Sequence, residues 1–140
     1  TLHVGYGTFE PIRVEHVNAH QINEEHFSIP EATAKAVNQA VADGRRVVAV
    51  GTTTTRALET AARRGRGLLQ AGPGKTELYI YPGFSFQIVS GLLTNFHLPQ
   101  SSLLLLVCAF GGRESILEAY LDAISRRYRF YSYGDAMLIL

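Results

Sequence analysis

Residues 47–51, Val-Val-Ala-Val-Gly, form a short apolar run, and beyond it Ala57, Leu58, Ala61 and Ala62 recur at helical spacing. The pattern predicts strand, tight turn, helix. Upstream, Pro30 and Glu31 open a helix that runs to about Asp43 and stops before Gly44, with Ala36, Val37, Ala40 and Val41 as its apolar stripe. Residues 31–64 therefore read helix, strand, helix, an alternation that points to an α/β architecture.

The flanking pattern is less regular. Residues 1–4 read as a strand, 9–14 as extended chain with Pro11 suited to an edge, and 21–29 alternate weakly with Phe27 and Ile29 on one side. Residues 65–76 read as a loop around Gly72-Pro73-Gly74, with strands expected at 77–81 and 84–93. A polar turn at 94–102, with Ser101 or Ser102 as N-cap, leads into an apolar helix at 103–110 that ends at Gly111-Gly112. An amphipathic helix follows, with Ile116, Leu117, Tyr120, Leu121, Ile124 and Tyr128 on one face. An aromatic, arginine-rich turn then enters a final strand. No repeat, low-complexity segment or linker divides the chain.

Composition narrows the class. With 140 residues the chain is the size of one domain, and 46% hydrophobic against 18% charged residues fits a globular fold and excludes a disordered one. The net charge of +1 neither requires nor excludes nucleic acid. Arginine nevertheless clusters at Arg45 and Arg46, at Arg63, Arg64 and Arg66, and at Arg126, Arg127 and Arg129. The single Cys108 cannot form an internal disulfide and reads as a small buried residue in a reducing compartment. No stretch approaches the roughly 18 apolar residues of a membrane span, and no signal segment is visible, so a cytoplasmic location with no membrane partner is expected. The chain opens at Thr1 without an initiator methionine, so it is expected to be a piece of a longer protein.

Candidate chemistry centres on Thr52, Thr53, Thr54, Thr55 and Arg56. Four β-branched residues in a first helical turn are poor helix formers, and a helix N-terminus presents free N–H groups and partial positive charge. The stretch reads either as a pocket for a carboxylate, phosphate or sugar hydroxyls, or as Thr52 capping a helix whose other threonines pack. Asn95 and His97 stand where a strand end faces a helix start, the place at which open α/β sheets put ligands. His97 can exchange a proton near neutral pH or simply be hydrogen-bonded into its turn. His16 and His20 have helical spacing, but without H-E-x-x-H or a third ligand they read as polar surface, and no metal site is expected. Gly5 and Gly7 lack the third glycine of a dinucleotide fingerprint, and Gly74-Lys75-Thr76 lacks the first glycine and the following helix of a P-loop.

Five strings taken together carry a resemblance: residues 1–9 (Thr-Leu-His-Val-Gly-Tyr-Gly-Thr-Phe), 50–56 (Val-Gly-Thr-Thr-Thr-Thr-Arg), 94–99 (Thr-Asn-Phe-His-Leu-Pro), 109–114 (Ala-Phe-Gly-Gly-Arg-Glu) and 128–137 (Tyr-Arg-Phe-Tyr-Ser-Tyr-Gly-Asp-Ala-Met). In this order they resemble the S-adenosylmethionine:tRNA ribosyltransferase-isomerases of queuosine biosynthesis. The resemblance implies the C-terminal part of an enzyme more than twice this length. Its larger domain is a mixed α/β, barrel-like sheet flanked by helices, incomplete here, and a smaller inserted β domain lies in the absent N-terminal portion. It also implies transfer of the ribosyl carbons of S-adenosylmethionine to 7-aminomethyl-7-deazaguanine in a tRNA anticodon loop, giving epoxyqueuosine, adenine and methionine. S-adenosylmethionine is then a substrate, no cofactor is needed, and a monomer is expected. Mapped onto this chain, His97 and Asp135 become proton-transfer candidates, with Glu114 and His3 behind them. Thr52 to Thr55, Arg56 and Asn95 become substrate-binding candidates, and Arg113, Arg129, Tyr131 and Tyr133 become RNA contacts. Two other classes stay open at this point: a non-catalytic tRNA-binding module and an S-adenosylmethionine-dependent methyltransferase.

Overall fold

The computed structural model describes residues 1–5, 11–14 and 16–140, with the backbone alone at Asn18. Residues 6–10 and Glu15, including Gly7 and the start of the extended stretch expected at 9–14, lie outside the described residues. In chain order the elements are β1 (Leu2–His3), β2 (Glu25–Ile29), α1 (Glu31–Ala42), β3 (Val48–Val50), α2 (Thr52–Arg64), β4 (Gly72–Thr76), β5 (Gly91–Asn95), α3 (Ser102–Gly111), α4 (Arg113–Ser125) and β6 (Ala136–Ile139). Single 3₁₀ turns at Val17–Ala19 and Tyr131–Tyr133 complete them.

The strands form two three-stranded sheets. In the first, β1, β2 and β4 run antiparallel, with Leu2 opposite Phe27 and Glu25 opposite Thr76. In the second, β3 pairs parallel to β5, and β6 pairs antiparallel to β5's other side. The architecture is mixed α/β as expected, but among the described residues neither sheet closes into a barrel.

Helix α2 ties the sheets together, packing against β4 of one and against β3 and β5 of the other. It is buried on every side from Thr55 to Ala62, and its polar groups are satisfied by neighbours rather than by water. The Arg56 guanidinium donates to Glu25 Oε2 at 2.6 Å from β2 and to the Leu78 carbonyl at 2.9 Å. Glu59 accepts the backbone N–H groups of Gln87, Ile88 and Val89 at 2.9, 3.0 and 2.9 Å. Thr60 and Thr76 share a hydroxyl hydrogen bond at 2.7 Å.

Several expectations need correction. The stretch read as a loop around Gly72-Pro73-Gly74 is strand β4, while residues 77–81 and 84–90 form no strand. Turn-forming composition yields here to pairing with β2. Pro73 is tolerated because β4 lies at the sheet edge, and Gly74 leaves room for the Phe27 ring, since a Cβ there would lie 2.5 Å from Phe27 Cζ. In α1 the buried residues are Ala34 and Ala40, with Val37 partly covered, whereas Ala36 and Val41 are exposed. In α4 the helix packs through Ile116, Tyr120 and Ala123, leaving Leu121 and Ile124 exposed. β3 is not fully buried either: Ala49 faces the core while Val48 and Val50 are exposed. His16 and His20 flank a single 3₁₀ turn rather than sharing a helical face.

The close seating of Phe27 over Gly74 is testable. Gly74→Ala is expected to lower stability by about 1–3 kcal/mol through overpacking. The same change in a Phe27→Leu background should cost much less, because the two sites are in contact. Equal costs in both backgrounds, read from urea unfolding of the full-length protein, would show that the ring is not what constrains position 74.

Candidate functional site

The turn after β3 is built around Gly51, whose φ of 91° is one that L side chains rarely adopt. Gly51 N–H donates to the Leu93 carbonyl at 2.8 Å, tying the turn to the parallel neighbour β5. Gly51, not Thr52, occupies the N-cap position, and no side chain caps the helix. The capping reading of Thr52 is therefore corrected. The last two threonines bond backwards instead, Thr54 Oγ1 to the Val50 carbonyl at 2.7 Å and Thr55 Oγ1 to the Gly51 carbonyl at 3.1 Å. Such bonds let threonine sit in a helix despite its branched Cβ.

β5 runs beside β3 in the same direction, so its C-terminal residues Thr94 and Asn95 arrive at the same edge. Two residues on, His97 is 6% exposed. Its Nε2 shares a hydrogen bond with Thr94 Oγ1 at 3.0 Å, and its backbone N–H donates to the Tyr120 hydroxyl at 2.8 Å. Burial pushes the imidazole down from 6.5 to about 4, which leaves it neutral at pH 7. Behind it Phe96 packs on Tyr120, Tyr128 and Phe130 with ring centroids 5.2–5.7 Å apart. The third wall is the 3₁₀ turn at Tyr131–Tyr133, held by Tyr131 N–H donating to the Phe96 carbonyl at 2.8 Å. Ser101 caps α3 by accepting from Leu104 N–H at 3.1 Å, as the sequence predicts.

These elements enclose a cleft of about 350 Å³ lined by Thr52, Thr53, Thr54, Thr94, Asn95, His97, Tyr131 and Ser132, with apolar walls from Leu2, Val4, Val50 and Leu103. The structure thus brings together, from three separate stretches, Thr52 to Thr54, Asn95, His97 and Tyr131. It does not bring the other candidates there. Thr55 and Arg56 lie further along α2, past the turn that borders the cleft; Thr55 is fully buried, and Arg56 is 2% exposed and paired with Glu25. Desolvation lowers the Arg56 pKa, and the Glu25 carboxylate opposes that shift.

Asp135 lies outside the lining. Its Oδ2 accepts the Arg129 backbone N–H at 2.8 Å and its Oδ1 accepts Arg129 Nη2 at 2.9 Å, so the pair clasps the ends of the aromatic turn. Hydrogen bonds from Arg129 hold the carboxyl below its usual range. Arg113 and Glu114 lie exposed in the first turn of α4, Tyr133 is 94% exposed, and His3 is exposed on β1 opposite His26. Among the described residues no group of three His, Cys, Asp or Glu side chains is placed to hold a metal, and no helix is long and apolar enough to cross a membrane.

Sequence reasoning missed Thr94, Ser132, Leu2, Val4 and Leu103 in the cleft, and the buried carboxylates of Glu25 and Glu59 that hold α2. Glu59 left a trace, since a carboxylate flanked by Ala57, Leu58, Ala61 and Ala62 sits on an apolar stripe and must find donors inside. Thr94 and His97 are i and i+3 at a strand end, a relation that no helical or strand periodicity flags.

The depressed pKa of His97 has a consequence for stability. The unfolded chain binds a proton below pH 6.5, whereas the folded protein resists protonation until about pH 4. Stability contributed by keeping His97 neutral is therefore intact above pH 6.5 and is lost as pH falls to about 4, by up to about 3 kcal/mol. His97→Gln in the full-length protein should flatten the fall in the urea midpoint between pH 7 and pH 4.5. An unchanged slope would assign the acid sensitivity to other groups.

Comparison with known proteins agrees with this architecture. The family model described as "Queuosine biosynthesis protein" matches residues 1–139. Over 140 residues the chain is 59% identical to the S-adenosylmethionine:tRNA ribosyltransferase-isomerase of Trichlorobacter lovleyi, covering 41% of it. It is 55% identical to the enzyme of that name from Aquifex aeolicus, covering 40% of it. The crystal structure of S-adenosylmethionine tRNA ribosyltransferase from Thermotoga maritima matches with a TM-score of 0.75 and 51% identity, over 83% of this chain and 41% of that one. The chain thus spans about two fifths of the length of these relatives. Matched by the family model from residue 1 to residue 139, it belongs to the queuosine biosynthesis protein family.

Proposed function

We propose that this chain is the C-terminal portion of an S-adenosylmethionine:tRNA ribosyltransferase-isomerase and contributes the cleft in which S-adenosylmethionine binds. The carrying observation is that Thr52 to Thr54, Asn95 and His97, drawn from two of the family's motifs, line one cleft at the shared C-terminal edge of β3 and β5. In the proposed reaction the ribosyl group passes to the aminomethyl nitrogen of 7-aminomethyl-7-deazaguanine in the tRNA anticodon loop. It is then rearranged to epoxyqueuosine as adenine and methionine leave.

Such chemistry needs a base for the acidified proton beside the sulfonium, and a cleft that tolerates a cation without binding it too tightly. His97 supplies the base: Thr94 fixes its ring at 3.0 Å at the edge of the cleft, and burial keeps it unprotonated at neutral pH while making it a weaker base than a free imidazole. Among the described residues the lining holds no lysine or arginine to repel the sulfonium. Asp135 acts through Arg129 in shaping the aromatic turn, from which Tyr131, Tyr133 and Arg129 approach the RNA together with Arg113. Glu114 and His3, the remaining proton-transfer candidates, lie outside the lining of this cleft. S-adenosylmethionine acts as substrate with no further cofactor. The whole enzyme is a cytoplasmic monomer whose remaining residues extend the sheets into the larger, barrel-like domain and carry the inserted β domain.

Incubating full-length protein, S-adenosylmethionine and tRNA bearing 7-aminomethyl-7-deazaguanine should release adenine and methionine in equal amounts. S-adenosylhomocysteine as the product would identify a methyltransferase instead, and salt-dependent tRNA binding without turnover would identify a binding module. His97→Ala is expected to lower kcat by about 10²–10⁴-fold with a small change in KM, the signature of a lost general base. Wild-type turnover in that variant would remove His97 from the mechanism.

A further inference from the structure

The first turn of α2 is left open in a way that its own chain does not explain. The N–H groups of Thr52, Thr53 and Thr54 precede the first intrahelical bond, Thr55 N–H to the Gly51 carbonyl at 3.2 Å, and no side chain caps them. Beside them the Thr52 side chain is more than nine-tenths buried, at 7% exposure, and lines the cleft. Thr54 and Thr55 use their hydroxyls on the preceding carbonyls, but the Thr52 hydroxyl has no hydrogen-bond partner among the described residues. A hydroxyl on a largely buried threonine, open to the cleft and next to three free N–H groups, is a set of donors without a protein acceptor.

We propose that this turn binds a carboxylate, that of the amino-acid tail of S-adenosylmethionine, with the tail's methylene groups against Leu2, Val4 and Val50. The assignment rests on the reading that S-adenosylmethionine occupies the cleft. Three competing groups fit the turn less well. Backbone N–H groups only donate, and the helix N-terminus carries about half a positive charge, so an anion gains more there than a ribose hydroxyl or an adenine ring. A polynucleotide phosphate is ordinarily held by lysine and arginine, yet among the described residues no cationic side chain lines this cleft, and Arg56 is engaged with Glu25. A single carboxylate matches the donor count without needing a cation. Asn95 lines the same cleft and carries an amide oxygen able to accept from the tail's ammonium group.

Product inhibition of the full-length enzyme separates the possibilities, because methionine keeps the carboxylate and adenine keeps the ring. Thr52→Val removes the hydroxyl at nearly constant volume and should raise the inhibition constant of L-methionine about tenfold, the worth of one charge-assisted hydrogen bond. The constant for adenine should not move. L-methioninol, which lacks the carboxylate, should inhibit the wild type poorly and be indifferent to the substitution. Should Thr52→Val not fold, Thr53→Val offers the same comparison at a half-buried position. The inference is overturned if adenine loses affinity as much as methionine, if methioninol inhibits as well as methionine, or if inorganic phosphate competes better than either. A wild-type enzyme that releases neither adenine nor methionine would instead overturn the ribosyltransferase reading, and this assignment with it.

Discussion

The buried contact between Arg56 and Glu25 is the constraint on which the rest depends. Two opposite charges taken out of water are stable only if each is closely paired and further hydrogen-bonded. Here the guanidinium also reaches the Leu78 carbonyl, so one side chain joins α2, β2 and the segment after β4. Removing either partner would leave a buried charge uncompensated, at a cost of about 3–5 kcal/mol. Glu59, one turn further along, binds three successive N–H groups just before β5. An otherwise polar helix can therefore lie between two sheets because its polar groups replace the missing strand pairings of the segments around it.

That anchoring determines what the helix presents. With Arg56 and Glu59 held inside, α2 is fixed between the sheets, and its first turn, Thr52, Thr53 and Thr54, stands at the end of the helix that borders the cleft. Pairing with Glu25 withdraws the arginine that the motif offers as an anion-binding group. Among the described residues the cleft is consequently rich in donors and free of lysine and arginine, a setting that would not repel a cationic ligand. Depression of the His97 pKa comes from its own burial, in a site where the charged imidazolium would lose its hydration.

Local signals served well where geometry follows from a single segment. The strand-turn-helix at 47–64, the Ser101 cap and the Gly111-Gly112 break each depend on residues within a few positions of one another. They failed where partners lie far apart in the chain. Gly72-Pro73-Gly74 is turn-like by composition, but β2 provides a hydrogen-bonding edge and the Phe27 ring fills the space above Gly74. Tyr79-Ile80-Tyr81 alternates like a strand but finds no partner strand among the described residues, with Ile80 buried in the core and the Tyr79 and Tyr81 rings against each other at 5.1 Å.

The family resemblance, the α/β class and the short list around Thr52, Asn95 and His97 were determined by sequence alone, because each rests on residue identity and short-range order. Which of those residues meet was decided only by the tertiary structure. Thr52, Thr53 and Thr54 reach the cleft while Thr55 and Arg56 do not, because the first turn of α2 ends at the cleft and the helix beyond it is packed between the sheets, where Arg56 pairs with Glu25. His97 reaches the cleft while Asp135 closes on Arg129, because parallel pairing of β3 with β5 brings two strand ends together, and that pairing spans some forty residues that no local pattern encodes.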